Sequence, residues 1–210
     1  MFHVKHPASL ATSGPVAASN VSRETLERLS VFLDLLKRWN GTVNLVSSRD
    51  LANIWPRHIA DALQLIPLIP SGTDRLIDLG SGAGFPGLVL AIAANIRADL
   101  VEADERKAAF LKEAARAVAA PATVHGSRIE NTRLDPAALV TARALAPLPT
   151  LLHLAAPLLA PGGVCLFPKG RRVEDELTSA AALWHMQIER FPSATDPTAS
   201  ILRLSEVRHG

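Results

Sequence analysis

The stretch Asp78-Leu79-Gly80-Ser81-Gly82-Ala83-Gly84-Phe85-Pro86-Gly87 decides how this chain folds. It follows the short apolar run Leu76–Leu79 and precedes Gly87–Asn95, which Pro86 can open as a helix. A glycine-rich turn from strand to helix lets the backbone come close to a bound molecule, because no Cβ holds the molecule off. In open α/β sheets such a turn lies at the carboxyl edge, where ligands bind. Downstream the pattern repeats, with a strand at Asp99–Glu102, a helix at Glu105–Ala119 and a strand at Ala122–His125, and repetition of this kind means βαβ units. Further strands are expected at Leu139–Ala142, Val164–Phe167, Trp184–Arg190 and Ile201–Glu206, with helices at Leu148–Leu159 and Arg172–Leu183. The sum is an α/β fold, a mainly parallel sheet covered on both faces by helices.

Upstream, Ser22 is an N-cap and Glu24 stands in the first turn of a helix whose apolar residues Leu26, Leu29, Phe32, Leu33, Leu36 and Trp39 recur at helical spacing. Asn40-Gly41 ends it. A second helical stretch, Ile54–Leu65, is closed by Pro67, Pro70 and Ser71-Gly72. Residues 21–70 are therefore expected to form a helical segment and residues 71–210 the α/β domain. Residues 1–20, small in side chain and broken by Gly14 and Pro15, are expected to be a flexible arm.

Composition narrows the function classes. With 210 residues, 48% hydrophobic and 20% charged, the chain can bury one main core without staples. Its single cysteine, Cys165, stands in the apolar run Gly163–Phe167, which excludes a disulfide framework and reads as a reduced cytosolic thiol packed as a small hydrophobe. The longest apolar run, Leu88–Ile96, is far short of the ~20 residues of a membrane span. The start lacks the pattern of a secretory signal, so a cytoplasmic protein with no membrane partner is expected. A net charge of +2 is too small to hold nucleic acid by bulk electrostatics, so any such contact must be a local patch.

The glycine turn has two chemical readings. Gly80-x-Gly82-x-Gly84 after an acidic residue is the S-adenosylmethionine pattern, whereas Gly82-x-Gly84-x-x-Gly87 satisfies the dinucleotide fingerprint. Glu102, 22 residues after Gly80, would accept from a ribose diol in either case. Asp78 separates them, because a carboxylate there suits a ligand bearing an amino group and has no standard role against a pyrophosphate. Absence of tyrosine from the chain also removes the Tyr/Lys pair of short-chain dehydrogenases. A nicotinamide-dependent oxidoreductase and a non-catalytic nucleotide-binding module remain the alternatives. For a methyl acceptor, the Asn/Asp-Pro-Pro-aromatic loop of exocyclic-amine methylation and the Pro-Cys setting of cytosine C5 methylation are both missing. That fits a ring nitrogen with a free lone pair, for which positioning, worth ~7–11 kcal/mol at near-attack distance, replaces a general base.

Taken together, Trp39-Asn40, Asn44-Leu45, Arg57-His58 with Asp61, the Asp78–Gly87 turn, Ser127-Arg128-Ile129-Glu130, Arg143-Ala144 and Lys169-Gly170 resemble, in order and spacing, the bacterial 16S rRNA guanine-N7 methyltransferases, also called the glucose-inhibited division protein B family. The resemblance runs from about Leu26 to Leu204. It implies a Rossmann-like class I methyltransferase fold, S-adenosylmethionine as cofactor and methylation of N7 of a guanine in the 530 loop of 16S rRNA. Because +2 is a weak field, the RNA is expected to be met within the small ribosomal subunit or its precursor, and the chain is expected to be a monomer. Gly80 and Phe85 resemble the family's cofactor contacts, Ile129-Glu130 the pair beside the adenine, and Arg143 a further cofactor contact. Asp78, Gly82, Gly84 and Glu102 complete the expected cofactor set. Val46, Ala62 and Val89 depart from the family's usual Thr, Ser and Pro, and Ala62 bears on how the helix carrying Arg57 and His58 packs.

Plainer readings stand beside these. Arg57 and Asp61, at i and i+4, would form an ordinary surface ion pair on a helix; the resemblance instead turns Arg57 and His58 toward the pocket or the RNA. Lys169 and Arg171, with Arg172, would be a solvated helix start backed by Glu174, Asp175 and Glu176, yet they follow a strand's carboxyl end and are expected to meet RNA. N7 must stay free for attack, so Arg143 or Lys169 can orient the substrate only through O6 or phosphate. His125, His153 and His185 show no metal-ligand spacing, and no metal is expected. Among the aromatic rings, Phe85 is the one expected to stack on adenine or a flipped guanine.

Overall fold

The computed structural model describes Val4, Lys5 and residues 21–210. The flexible arm expected over 1–20 lies outside the described residues, except that Val4–Lys5 forms a two-residue strand, β1. Helix α1 (Arg23–Asn40) begins where the Ser22 hydroxyl accepts from the Thr25 N–H at 3.1 Å. Leu29, Phe32, Leu33 and Leu36 are buried on one face, as the 3.6-residue period demands. Asn40 then folds the chain back, its Oδ1 accepting from the N–H groups of Leu45 (3.0 Å) and Val46 (2.9 Å). The single helix expected over Ile54–Leu65 is corrected to α2 (Ser48–Ala52), a π-helical turn at Trp55–Ile59 and α3 (Ala60–Leu63). Pro56 has no N–H to give near the start of that turn, and wide turns of this kind recur at functional sites.

The remaining elements alternate: β2 (Arg75–Leu79), α4 (Gly87–Ala94), β3 (Arg97–Val101), α5 (Glu105–Ala117), β4 (Ala122–His125), β5 (Ala137–Ala142), α6 (Leu148–Ala155), β6 (Leu159–Lys169), α7 (Val173–Ala181), β7 (Trp184–Pro192) and β8 (Ser200–His209). They make one sheet in the order β1-β7-β8-β6-β5-β2-β3-β4. It is parallel except for β8, which runs antiparallel to both β6 and β7. The short β7–β8 connection forces that reversal, since a parallel crossover needs a dozen or more residues. β2 pairs with β3 on one side and β5 on the other, so the winding direction changes there and a crevice opens at its carboxyl end.

Two cores flank the sheet. On one face Leu88, Leu90, Phe110 and Leu111 of α4 and α5 pack together with Leu29, Phe32 and Leu36 of α1, so the helical segment shares the core of the α/β part. Arg28 reinforces this, donating to the carbonyls of Val118 (2.9 Å), Ala119 (3.1 Å) and Ile92 (3.4 Å) at the ends of α5 and α4. On the other face Leu148, Leu151, Leu152 and Val173 of α6 and α7 cover Ile77, Val140 and Phe167. Cys165 is buried there, and burial pushes its thiol up to about 12, as expected of a packed hydrophobe.

Helix α4 sits so close to β2 that a Cβ on Gly87 would stand 2.5 Å from the Asp78 Cβ. Both elements are backbone-fixed, so the strain has no easy outlet. Gly87→Ala is expected to lower stability by ~1–3 kcal/mol, the range of an overpacked core, read from the urea midpoint. An unchanged midpoint would contradict this packing.

Candidate active site

Two adjoining hollows open at the carboxyl edge of the sheet. The first, about 430 Å³, lies over the glycine turn and is lined by Gly80, Gly82, Glu102, Ile129 and Glu130 among others. The second, about 630 Å³, is lined by Arg57, His58, Asp61, Lys169 and the β7–β8 loop. Arg143, Ala144, Leu145 and Ala146 line both and form the partition.

In the first hollow Glu102 does the tying. Its Oε2 accepts from the Gly82 N–H and its Oε1 from the Asp104 N–H, both at 2.8 Å. An ionised carboxylate has about four lone-pair sites, so capacity remains for two hydroxyls of a diol. Gly80 holds φ +64°, which favours glycine, and a Cβ there would meet the tip of the Leu145 side chain, Cδ1 at 2.7 Å, and push it aside. Gly84 lies outside the lining of the hollow, close against Leu88 and Leu111. Asp78 also lies outside the lining. Its carboxyl is fully buried beneath α4, with Oδ1 accepting from the Thr141 hydroxyl at 2.6 Å and Oδ2 unpartnered. Burial pushes its pKa up to about 6, opposed by the Thr141 and Ser81 hydroxyls, the Gly87 N–H and the charge of Arg143.

Phe85 departs most from expectation. Its ring is 5% exposed, lines neither hollow, and stacks on His58 at 4.7 Å with an edge contact to Phe32 at 5.6 Å. In this arrangement the ring is turned toward His58 and Phe32 and away from both hollows. Above the ring sits the Arg143 guanidinium, 5.4 Å from the centroid.

Arg143 is the hub of the site. Its Nη1 donates to Asp61 Oδ2 (3.1 Å) and to the Arg57 carbonyl (3.2 Å), and its Nη2 to His58 Nδ1. The Arg57–Asp61 pair of the plainer reading does not form: Arg57 pairs with Asp50 at 3.2 Å and Asp61 with Arg143, while Arg57 and His58 both line the second hollow. Since Nδ1 faces a donor, the proton of the neutral imidazole sits on Nε2, which is buried without a partner. Burial first, and the Arg143 charge second, push the His58 pKa down to about 4.

Asp61 also reaches the β7–β8 loop. Its Oδ1 accepts from the Thr195 hydroxyl (2.8 Å) and from Gln64 Nε2 (2.7 Å), while Gln64 Oε1 accepts from the Ala194 N–H (2.8 Å). Lys169 is largely committed inside the protein, with Nζ donating to the Ala146 carbonyl at 3.0 Å and pairing with Glu176 at 2.6 Å. Arg171 does not line the hollow and reaches Thr198 at 3.4 Å, whereas Arg172 does line it. Sequence reading missed Asp50, Gln64, Leu145, Thr195 and Glu176. Gln64 and Thr195 meet across 131 residues, which no local pattern marks, whereas Asp50 and Glu176 each pair with a cation seven residues away, a spacing that fits no regular helical or strand pair. His125 pairs with Asp99 at 2.7 Å, and no metal-ligating cluster occurs among the described residues.

Several solved structures similar to this one in fold are named methyltransferases. A putative class I S-adenosylmethionine-dependent methyltransferase from Listeria monocytogenes superposes with a TM-score of 0.59 at 15% identity, covering 89% of this chain and 69% of that one. The N-methyltransferase NodS of Bradyrhizobium japonicum, in complex with S-adenosylhomocysteine, gives 0.55 at 15% identity over 83% of this chain and 98% of that one. At these identities the likeness establishes the fold, which is that of the class I methyltransferases. In sequence, the protein named ribosomal RNA small subunit methyltransferase G of Granulibacter bethesdensis is 54% identical over 210 residues, 99% of each chain. Its namesake in Acidiphilium cryptum is 59% identical over 95% of this chain and 99% of that one. The family model described as rRNA small subunit methyltransferase G matches residues 25–199. By that match and these relatives, the chain belongs to the rRNA small subunit methyltransferase G (GidB) family and is an S-adenosylmethionine-dependent methyltransferase.

Proposed function

We propose that this chain transfers the methyl group of S-adenosylmethionine to N7 of a guanine in the 530 loop of 16S rRNA, acting as a monomer in the cytoplasm. The observation that carries the reading is the pair of adjoining hollows parted only by Arg143–Ala146, within a chain of an rRNA methyltransferase family. The residues of the smaller hollow fit the cofactor. Glu102 retains acceptor capacity for a ribose diol, Gly80 and Gly82 allow close backbone approach, and Ile129-Glu130 with Arg143 close the sides. When bound, S-adenosylmethionine supplies an electrophilic methyl on a sulfonium.

The chain's own residues then have little proton chemistry to do. The N7 lone pair of guanine is free in the neutral base, so its attack requires no general base, and the protein's task is alignment. Arg143 has used three of its five N–H donors on the helical segment, leaving Nε and one Nη2 hydrogen for cofactor or guanine O6. Arg57, more than half exposed, and Arg172 at the rim are the cations that remain available to phosphate. An unstacked loop nucleotide can bring its base to the partition between the two hollows.

Neither the oxidoreductase nor the non-catalytic alternative gains support from any of these observations. Calorimetry separates them, with binding of S-adenosylmethionine and none of NAD expected. After incubation with the cofactor, the target guanine is expected to become sensitive to reductive cleavage at N7-methyl sites; a resistant guanine would refute the reading. Because +2 is a weak field, 16S rRNA in a small subunit or its precursor is expected to be methylated in preference to naked RNA. Equal rates on both at moderate salt would contradict that setting.

The Arg143–His58 bond holds only while the imidazole is neutral. Folding lowers the His58 pKa from 6.5 to about 4, so between those values the unfolded chain binds more protons and stability is lost as pH falls. Asp78 works in the opposite sense: its folded pKa of about 6 exceeds 3.8, so its contribution is present at low pH and is lost as pH rises through 6. Comparing wild type with His58→Gln isolates the imidazole. The urea midpoint of wild type is expected to drop more steeply than that of the variant between pH 6.5 and 4, and parallel curves would refute the pairing.

A further inference from the structure

The partition Arg143-Ala144-Leu145-Ala146-Pro147 is a strained piece of chain. Ala144 holds φ 53°, a left-handed conformation that residues with a Cβ seldom adopt. Leu145 leans over Gly80 with 37% of its surface exposed to the hollows. Backbone in such a conformation persists only where its surroundings hold it from both ends. At one end the hold is Arg143, gripped by Asp61, His58 and the Arg57 carbonyl.

At the other end the hold is Lys169 with Glu176. Lys169 Nζ donates to the Ala146 carbonyl at 3.0 Å and pairs with Glu176 Oε2 at 2.6 Å. The same Oε2 accepts from the Leu148 N–H at 2.8 Å, at the start of α6. That N–H belongs to the first turn, where helical donors have no partner of their own and a carboxylate is favoured. One carboxylate of α7 therefore clamps the partition both directly and through the last residue of β6. Lys169 is 9% exposed, and a neutralised, enclosed ammonium offers a polyanion little. The pair is badly built for gripping phosphate and well built for holding Ala146 and Leu148 in place.

We infer that Glu176, acting through Lys169, is a positioning residue for methyl transfer: it fixes the Ala144–Ala146 partition and with it the separation of methyl donor and acceptor. The inference rests on the methyltransferase reading above. A shift of about 1 Å in such a separation can cost ~100-fold in rate.

The test is steady-state methylation of small-subunit rRNA by Glu176→Ala, Glu176→Gln, Lys169→Met and the Glu176→Ala/Lys169→Met double variant, with thermal midpoints recorded alongside. Glutamine keeps an acceptor for the Leu148 N–H and loses the charge, so it is expected to recover part of the activity. Glu176→Ala is expected to lower kcat ~10- to 100-fold with KM for RNA within about threefold, the pattern of lost alignment. The double variant should be no worse than the poorer single one, because both act on one segment. Should Glu176→Ala fail to fold, the kcat against KM split of Glu176→Gln and Lys169→Met decides. The inference is overturned if Lys169→Met raises KM and reduces the salt dependence of binding by about one phosphate contact while the Glu176 variants keep full kcat. Wild-type protein that transfers no methyl would instead overturn the reading on which the inference rests.

Discussion

The pairing of Arg143 with Asp61 and His58 is the interaction on which the rest of the site depends. It crosses from the end of β5 to the helical segment, and Asp61 carries it on to the β7–β8 loop through Thr195 and Gln64. Three separate parts of the chain thereby meet at one guanidinium. Taking such charges from water is expensive, and the cost is offset only where geometry and further hydrogen bonds satisfy both partners. Here the carboxylate accepts from three different groups, and the guanidinium lies over the Phe85 ring as well. Removing one member would strand the others, so the helical segment belongs to the pocket as part of its wall.

That arrangement explains why a helical segment precedes the α/β part. By itself the sheet offers a crevice where winding reverses beside β2, open on the side of the second hollow. The segment closes that side with Arg57 and His58, and its first helix is bolted to α4 and α5 by a shared core and by Arg28. The π-helical turn at Trp55–Ile59 aims Arg57 at Asp50 and the rim, with His58 inward on Phe85.

Much of the fold was legible because periodicity and breakers are local. The alternation of apolar runs with helical patterns from Leu76 onward, the Ser22 cap and the Asp78–Gly87 turn each rest on neighbours a few residues apart. The antiparallel course of β8 was not legible, since a strand's pattern carries no direction. Nor was the fate of Phe85, which reads in sequence as a ring beside a ligand turn and in space completes the core under His58. Asp78 likewise reads as a ligand and stands as a buried support below α4. An aromatic or acidic residue at a turn has two sides to choose from, and packing chooses.

The amino-acid order alone determined the α/β class, the place of the glycine turn at a strand's carboxyl end, the acid at Glu102 and the resemblance that pointed to methyl transfer to rRNA. These depend on spacing along the chain, which sequence records directly. Only the tertiary structure decided which cation meets which carboxylate. Arg57 took Asp50 and Lys169 took Glu176, each seven residues away, and Arg143 took Asp61, 82 residues away, each choice set by where the elements lie in space. Charge pairing falls off with separation in space, and separation in space is settled by how the helices pack on the sheet.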